Sequence, residues 1–162
     1  MAAEPIPTTA TSSPGPLLRA GPPAWDRSGP TTTGPVFELV RCPTAGGVTW
    51  VWARRDLEMA TVAAARREVS ALLEPMRDPG KVLVYLGPER FVDLRGLRLL
   101  VGVAARVRSR GGALAVVAPP RCVRRMVQLG QLDAELPLFT TARRAVWWAR
   151  TRGRRSGDGL RR

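Results

Sequence analysis

The side chains able to do chemistry are few, and their spacing limits what they can do. Asp56 and Asp93 each stand just before a stretch of helical period, so both can project from one end of the same fold. Two carboxylates at one site can share general acid–base work. The simpler reading is that each caps a helix by accepting a backbone N–H of the first turn. Cys122 lies beside Arg121, Arg124 and Arg125, where neighbouring cations favour a reactive thiolate; simple packing is the plainer account. The 162 residues contain no histidine, which removes His-based triads, His general bases and His-containing metal sites together. No GxxxxGK[ST], GxGxxG or GxSxG motif occurs, and no acids cluster at metal spacing. The expectation is a protein with no catalytic residues, no metal and no cofactor.

The most informative stretch is Phe91-Val92-Asp93-Leu94-Arg95-Gly96-Leu97. A strand runs into a loop, Asp93 caps the following helix, and Gly96 falls in its first turn. Lacking a Cβ, Gly96 lets another backbone or a partner approach closely, or it relieves crowding against the sheet. A helix start also offers unpaired N–H groups and positive potential, which suit an anion or a phosphorylated side chain.

These residues need elements to position them, and the hydrophobic period supplies an order. Val36–Cys42 reads as a short strand and Gly46-Gly47 as a turn. Val48, Trp50 and Trp52 alternate with Thr49, Val51 and Ala53, a strand with one aromatic face. Met59, Val62, Ala63, Val69, Leu72, Leu73 and Met76 then follow helical spacing, with Asp56 as its cap and Glu58 in its first turn. After the turn Asp78-Pro79-Gly80, the run Lys81–Leu86 is apolar almost throughout, as in a strand covered on both faces. Leu94, Leu97, Leu100, Val101, Ala104 and Val107 form one helical stripe ending at Gly111-Gly112. Ala113–Ala118 is a second buried strand, and Arg121–Leu129 a helix stopped by Gly130. Leu136–Thr140 is a short strand, and Thr141 caps a last helix through Trp148. The order β-β-α-β-α-β-α-β-α implies crossovers onto a mixed sheet with helices packed against it, an α/β class.

The ends differ from this middle. Residues 1–35 are Pro, Gly, Thr, Ser or Ala at 26 positions, and residues 149–162 carry six Arg and one Asp. Neither segment has an apolar face that could offset its ordering entropy, so both are expected to be disordered tails around a domain at 36–148. The net charge of +13 divides into 0, +8 and +5 over these three parts. Two cysteines, Cys42 and Cys122, are too few for a disulfide framework. No stretch matches a signal peptide or a membrane span. A soluble, cytoplasmic protein is expected, with no membrane partner.

Residues 36–148 resemble a STAS domain, the fold of bacterial anti-sigma-factor antagonists and of sulfate-transporter cytoplasmic tails. The family's F-x-D-S-S-G-L motif corresponds to Phe91-Val92-Asp93-Leu94-Arg95-Gly96-Leu97, and its G-E-L-D marker to Arg54-Arg55-Asp56, with only the Asp kept. The C-terminal run Leu129-Gly130-Gln131-Leu132-Asp133 through Leu136-Pro137-Leu138-Phe139-Thr140 also follows the family. The resemblance implies a regulatory domain that binds an anti-sigma factor of the histidine-kinase-like ATPase type through Asp56, Asp93, Leu94, Arg95, Gly96 and Arg98. It also places the family's phosphoacceptor serine at Leu94, which has no hydroxyl, so the usual phosphorylation switch is absent there. The alternative is a basic nucleic-acid-associated protein using the Arg-rich surface and tail, with Trp50, Trp52, Trp147 and Trp148 as stacking platforms. Against it, the arginines are spread over several helices and no DNA- or RNA-reading motif is present.

Overall fold

The computed structural model of the chain describes residues 34–41, 48–76 and 79–152. In chain order the elements are β1 (Phe37–Arg41), β2 (Val48–Ala53), α1 (Val62–Leu73), β3 (Lys81–Tyr85), α2 (Leu94–Ser109), β4 (Ala113–Val117), α3 (Arg121–Leu129), β5 (Leu138–Phe139) and α4 (Ala142–Arg152). This is the α/β order that the hydrophobic period predicts. The five strands form one mixed sheet in the order β1-β2-β3-β4-β5. Strand β1 runs antiparallel to β2, and the other pairs are parallel.

The strand order decides where the helices go. Each parallel step crosses over through one helix, and crossovers of one hand that always advance in the same direction put their helices on the same face. Helices α1, α2 and α3 accordingly share one core with that face of the sheet, through Val51, Val82, Val84, Leu114 and Val116. The other face carries Val48, Trp50, Trp52, Leu83 and Tyr85, and buries Ala145 and Ala149 of α4. Apolar side chains on both faces explain why β3 and β4 read as continuous apolar runs rather than as alternating ones. Trp52 lies opposite Tyr85 in register, with ring centroids 4.6 Å apart, and stacks on Trp50 at 5.6 Å. Both tryptophans are buried, so neither is available as a stacking platform for bases.

Helix α1 departs from the sequence expectation. It begins at Val62, with Thr61 before it and no side-chain cap; Met59 is exposed, and Asp56 and Glu58 lie outside the helix. A long-range contact is the reason: Leu57, wholly buried, forms a parallel bridge with Val92. That bridge holds the chain extended where the local period favours a helix. A carboxylate ties the edge strand at this same end, where Phe37 pairs with Ala53. Glu68 of α1 accepts the N–H groups of Val36 and Phe37, each at 2.8 Å, and so fixes the start of β1. Helix α4 runs one turn past Trp148, and its buried Ala149 belongs to the core on that side. Residues 149–152, expected in the C-terminal tail, therefore continue a helix. The Gly46-Gly47 turn, Asp78, Cys42 and the segments 1–33 and 153–162 lie outside the described residues.

Candidate functional site

Strands β2 and β3 are adjacent and parallel, so their C-terminal ends deliver two loops to the same edge of the sheet. In α/β sheets this is the edge where binding groups collect. One loop carries Asp56 and Leu57; the other carries Phe91, Val92 and Asp93. Leu57 donates its N–H to the Phe91 carbonyl at 2.9 Å, and Asp93 donates its N–H to the Leu57 carbonyl at 3.0 Å. The two acids complete the tie. Asp56 Oδ1 accepts the Phe91 N–H at 2.9 Å. Asp93 Oδ1 accepts the Gly96 N–H at 2.8 Å, and Oδ2 accepts the Met59 N–H at 3.0 Å.

Asp93 therefore caps α2 as expected, from an extended backbone. Asp56 caps no helix: it latches one loop to the other, 35 residues away in sequence. With Asp56 Oδ1 and both oxygens of Asp93 engaged by main-chain N–H groups, the carboxylates organise backbone. Gly96 has the same kind of role. A Cβ there would stand 2.2 Å from the Leu57 carbonyl oxygen and 2.8 Å from the Leu57 Cβ. The close neighbour at Gly96 is thus the chain's own latched loop, neither the sheet nor an outside partner, and Gly96 is itself buried.

The locked frame leaves an apolar surface uncovered. Met59, Phe91 and Leu94 are 65%, 53% and 56% exposed, and all three stand on the latched loops or on the first residue of α2. Arg95 and Arg98 follow on the helix, also exposed. Among the described residues the ion pair is Arg54 with Glu38, at 3.3 Å, and no carboxylate comes within ion-pair distance of Arg95 or Arg98. Leu94, Arg95 and Arg98 are therefore the surface members of the set expected from sequence, and Asp56, Asp93 and Gly96 its scaffold. Sequence reasoning missed Met59, which fits the stripe of α1, and Phe91. The alternation around Val92 is the signal for Phe91: Val92 is buried in the bridge, so its neighbour faces out.

Other chemistry is thin. Cys122 is a half-buried free thiol packed against the main core. Among the described residues there is no group of three or more His, Cys, Asp or Glu that could hold a metal ion, and no helix is long and apolar enough to cross a membrane.

The chain is thus an α/β domain whose mixed sheet is edged by one antiparallel strand, with two loops latched over the start of its second helix. The family model described as Mlab, STAS domain matches residues 46–140, and the chain belongs to the STAS domain family. Three solved structures share the fold. The candidate anti-sigma factor antagonist TM1081 of Thermotoga maritima is 21% identical, with a TM-score of 0.62 over 70% of this chain and 94% of that one. An anti-sigma factor antagonist of Mycobacterium paratuberculosis is 24% identical, with a TM-score of 0.58 over 70% and 94%. The murine anion transporter Slc26a9 is 20% identical, with a TM-score of 0.58 over 68% of this chain but 19% of the transporter. A search of curated proteins found no match.

Proposed function

We propose that this chain is a regulatory protein-binding domain of the anti-sigma factor antagonist type. It docks an anti-sigma factor of the histidine-kinase-like ATPase class in the cytoplasm and so frees a sigma factor, with no reaction of its own. The observation that carries this reading is the exposure of Met59, Phe91 and Leu94 on loops that are otherwise rigidly tied. Large apolar side chains held out to solvent by a fixed backbone suit the centre of a protein interface. Arg95 and Arg98 supply positive charge at its rim, which favours an acidic border on the partner. Asp56, Asp93 and Gly96 act one step back by holding the frame. The binding unit lies within the domain expected at residues 36–148. The two bacterial proteins of the same fold described as anti-sigma factor antagonists support the class of partner.

The reading includes independence from phosphorylation at this place. The family resemblance puts the phosphoacceptor at Leu94, the first residue of α2, and leucine offers no oxygen to a phosphoryl group. A phosphoserine brings about −1.5 to −2 charges; leucine keeps the patch apolar at all times. The test is titration of the chain against a kinase-like anti-sigma factor from the same organism, compared with Leu94→Asp. A carboxylate buried without a partner costs at least about 3 kcal/mol, so affinity should fall by about a hundredfold or more. Unchanged affinity would remove this surface from the interface.

A further inference from the structure

Helices α1 and α2 leave a groove of about 220 Å³ between them, away from the latched loops. Its floor is made by Val69, Leu99 and Val103, which are nearly closed to solvent. Its rim is basic: Arg66 from α1, and Arg98 and Arg106 from α2, all exposed. Arg106 Nη1 donates to Ser70 Oγ across the groove at 3.1 Å. Among the described residues, none of the three arginines has a carboxylate within ion-pair distance.

Gly102 sits between Arg98 and Arg106 and is exposed. Unlike Gly96, it has no internal reason to lack a side chain, since a Cβ there would meet nothing within 4 Å. A glycine in a helix interior is a destabilising choice, and here it opens a notch where a backbone can come close. Arg98 and Arg106 are eight residues apart, about 12 Å along the helix axis, which matches two turns of a second helix laid alongside.

We propose that this groove receives an acidic helix of the docking partner, its backbone against Gly102 and its carboxylates against Arg66, Arg98 and Arg106. Three features on different residues select this occupant: the trough between two helices sets the shape, the guanidinium groups without a carboxylate partner set the charge, and the bare glycine sets the approach. Arg98 belongs to both surfaces, so the groove continues the apolar patch along α2. The identity of the partner rests on the docking reading above; the chemistry of the groove does not.

The probe is a fluorescein-labelled, alanine-based helical peptide of about 20 residues with glutamates along one face, titrated against the full chain by anisotropy. Arg98→Glu combined with Arg106→Glu should weaken binding by about tenfold or more. The same peptide with lysine in place of glutamate should then prefer the charge-reversed protein to the wild type. Gly102→Leu leaves the charge unchanged and should weaken binding to a similar degree. Helical circular dichroism shows whether each variant is folded, and Arg98→Gln with Arg106→Gln replaces the reversed pair if it is not. Three outcomes overturn the proposal: full affinity in Gly102→Leu, equal affinity for a glycine–serine peptide with as many glutamates, or displacement by millimolar inorganic phosphate. Leu94→Asp separates the two readings. It should leave peptide affinity unchanged while weakening the complex with the anti-sigma factor. Loss of the peptide result alone removes the groove, and loss of the Leu94 result alone removes the docking patch.

Discussion

Helices α1 and α2 pack on the same face of the sheet, yet they begin in opposite ways. Before α1, Thr61 gives its helix no side-chain cap. Its hydroxyl instead donates backwards to the Asp56 carbonyl at 2.6 Å and accepts the Glu58 N–H at 3.1 Å. Before α2, Asp93 caps its own helix and, through its second oxygen, holds Met59 of the segment that leads into α1. The start of α2 therefore organises the start of α1. This difference separates two kinds of exposed apolar residue. A side chain on a loose segment is exposed for want of structure, whereas Met59 and Phe91 are exposed although their N–H groups are held by Asp93 and Asp56, and Leu94 is exposed on the helix that Asp93 caps.

The strongest way to break this comparison is at the two glycines of α2. Gly96→Ala places a methyl group 2.2 Å from the Leu57 carbonyl oxygen, so either the loop or the helix must move. Overpacking of this kind costs about 1–3 kcal/mol and occasionally more. Gly102→Ala, on the same helix in open space, should have the opposite sign and stabilise by about 0.4–1 kcal/mol. Urea midpoints of the two variants measure both. If they shift alike, the latch is not what Gly96 serves.

The next effect is smaller and concerns the two acids. Asp93→Ala removes an N-cap and the bond to Met59 together, an expected loss of about 2 kcal/mol. Asp56→Ala removes one exposed bond to Phe91, and about 1 kcal/mol is expected. Hydrogen exchange sharpens the result. The Met59 and Gly96 amides should lose protection in Asp93→Ala and only the Phe91 amide in Asp56→Ala. A reversed order of stability would place the organising role at the start of α1.

The sequence carries some of this plainly and hides the rest. Period is local, so the apolar runs of β3 and β4, the alternation Val48-Trp50-Trp52 and the bounds of α3 are legible, as is the order of elements. Asp93 is legible too, because a cap acts on N–H groups three residues away. The start of α1 is not, since Met59 keeps the helical spacing while Leu57 is held by Val92, 35 positions on. The same distance hides the partner of Asp56, which sits where a cap would sit but bonds to Phe91. Glu68 was invisible for a related reason: a carboxylate on a helix surface reads as solvated, and only the tertiary fold brings the N–H groups of Val36 and Phe37 to it. Gly96 is legible as a close approach, but not what approaches.

The smallest change in stability should come from Leu94→Ser, and it tests function most directly. Leu94 is exposed at the first position of α2, so the substitution should shift stability by no more than about 0.5 kcal/mol. It also supplies a hydroxyl where the chain has none. With the kinase-like anti-sigma factor and ATP, the introduced oxygen can attack the γ-phosphorus, forming a phosphoester as ADP leaves and the hydroxyl proton passes to a base on the kinase. The product sits at a helix N-terminus, where unpaired N–H groups favour an anion, with Arg95 and Arg98 close by on the helix. The expected result is radiolabel on Leu94→Ser and none on the wild type, followed by release of the labelled protein from its partner. The unsubstituted chain should stay bound through the same incubation. Label on the wild type would mean that another hydroxyl carries the switch, and the permanent apolar patch at the start of α2 would then not be what keeps the complex together.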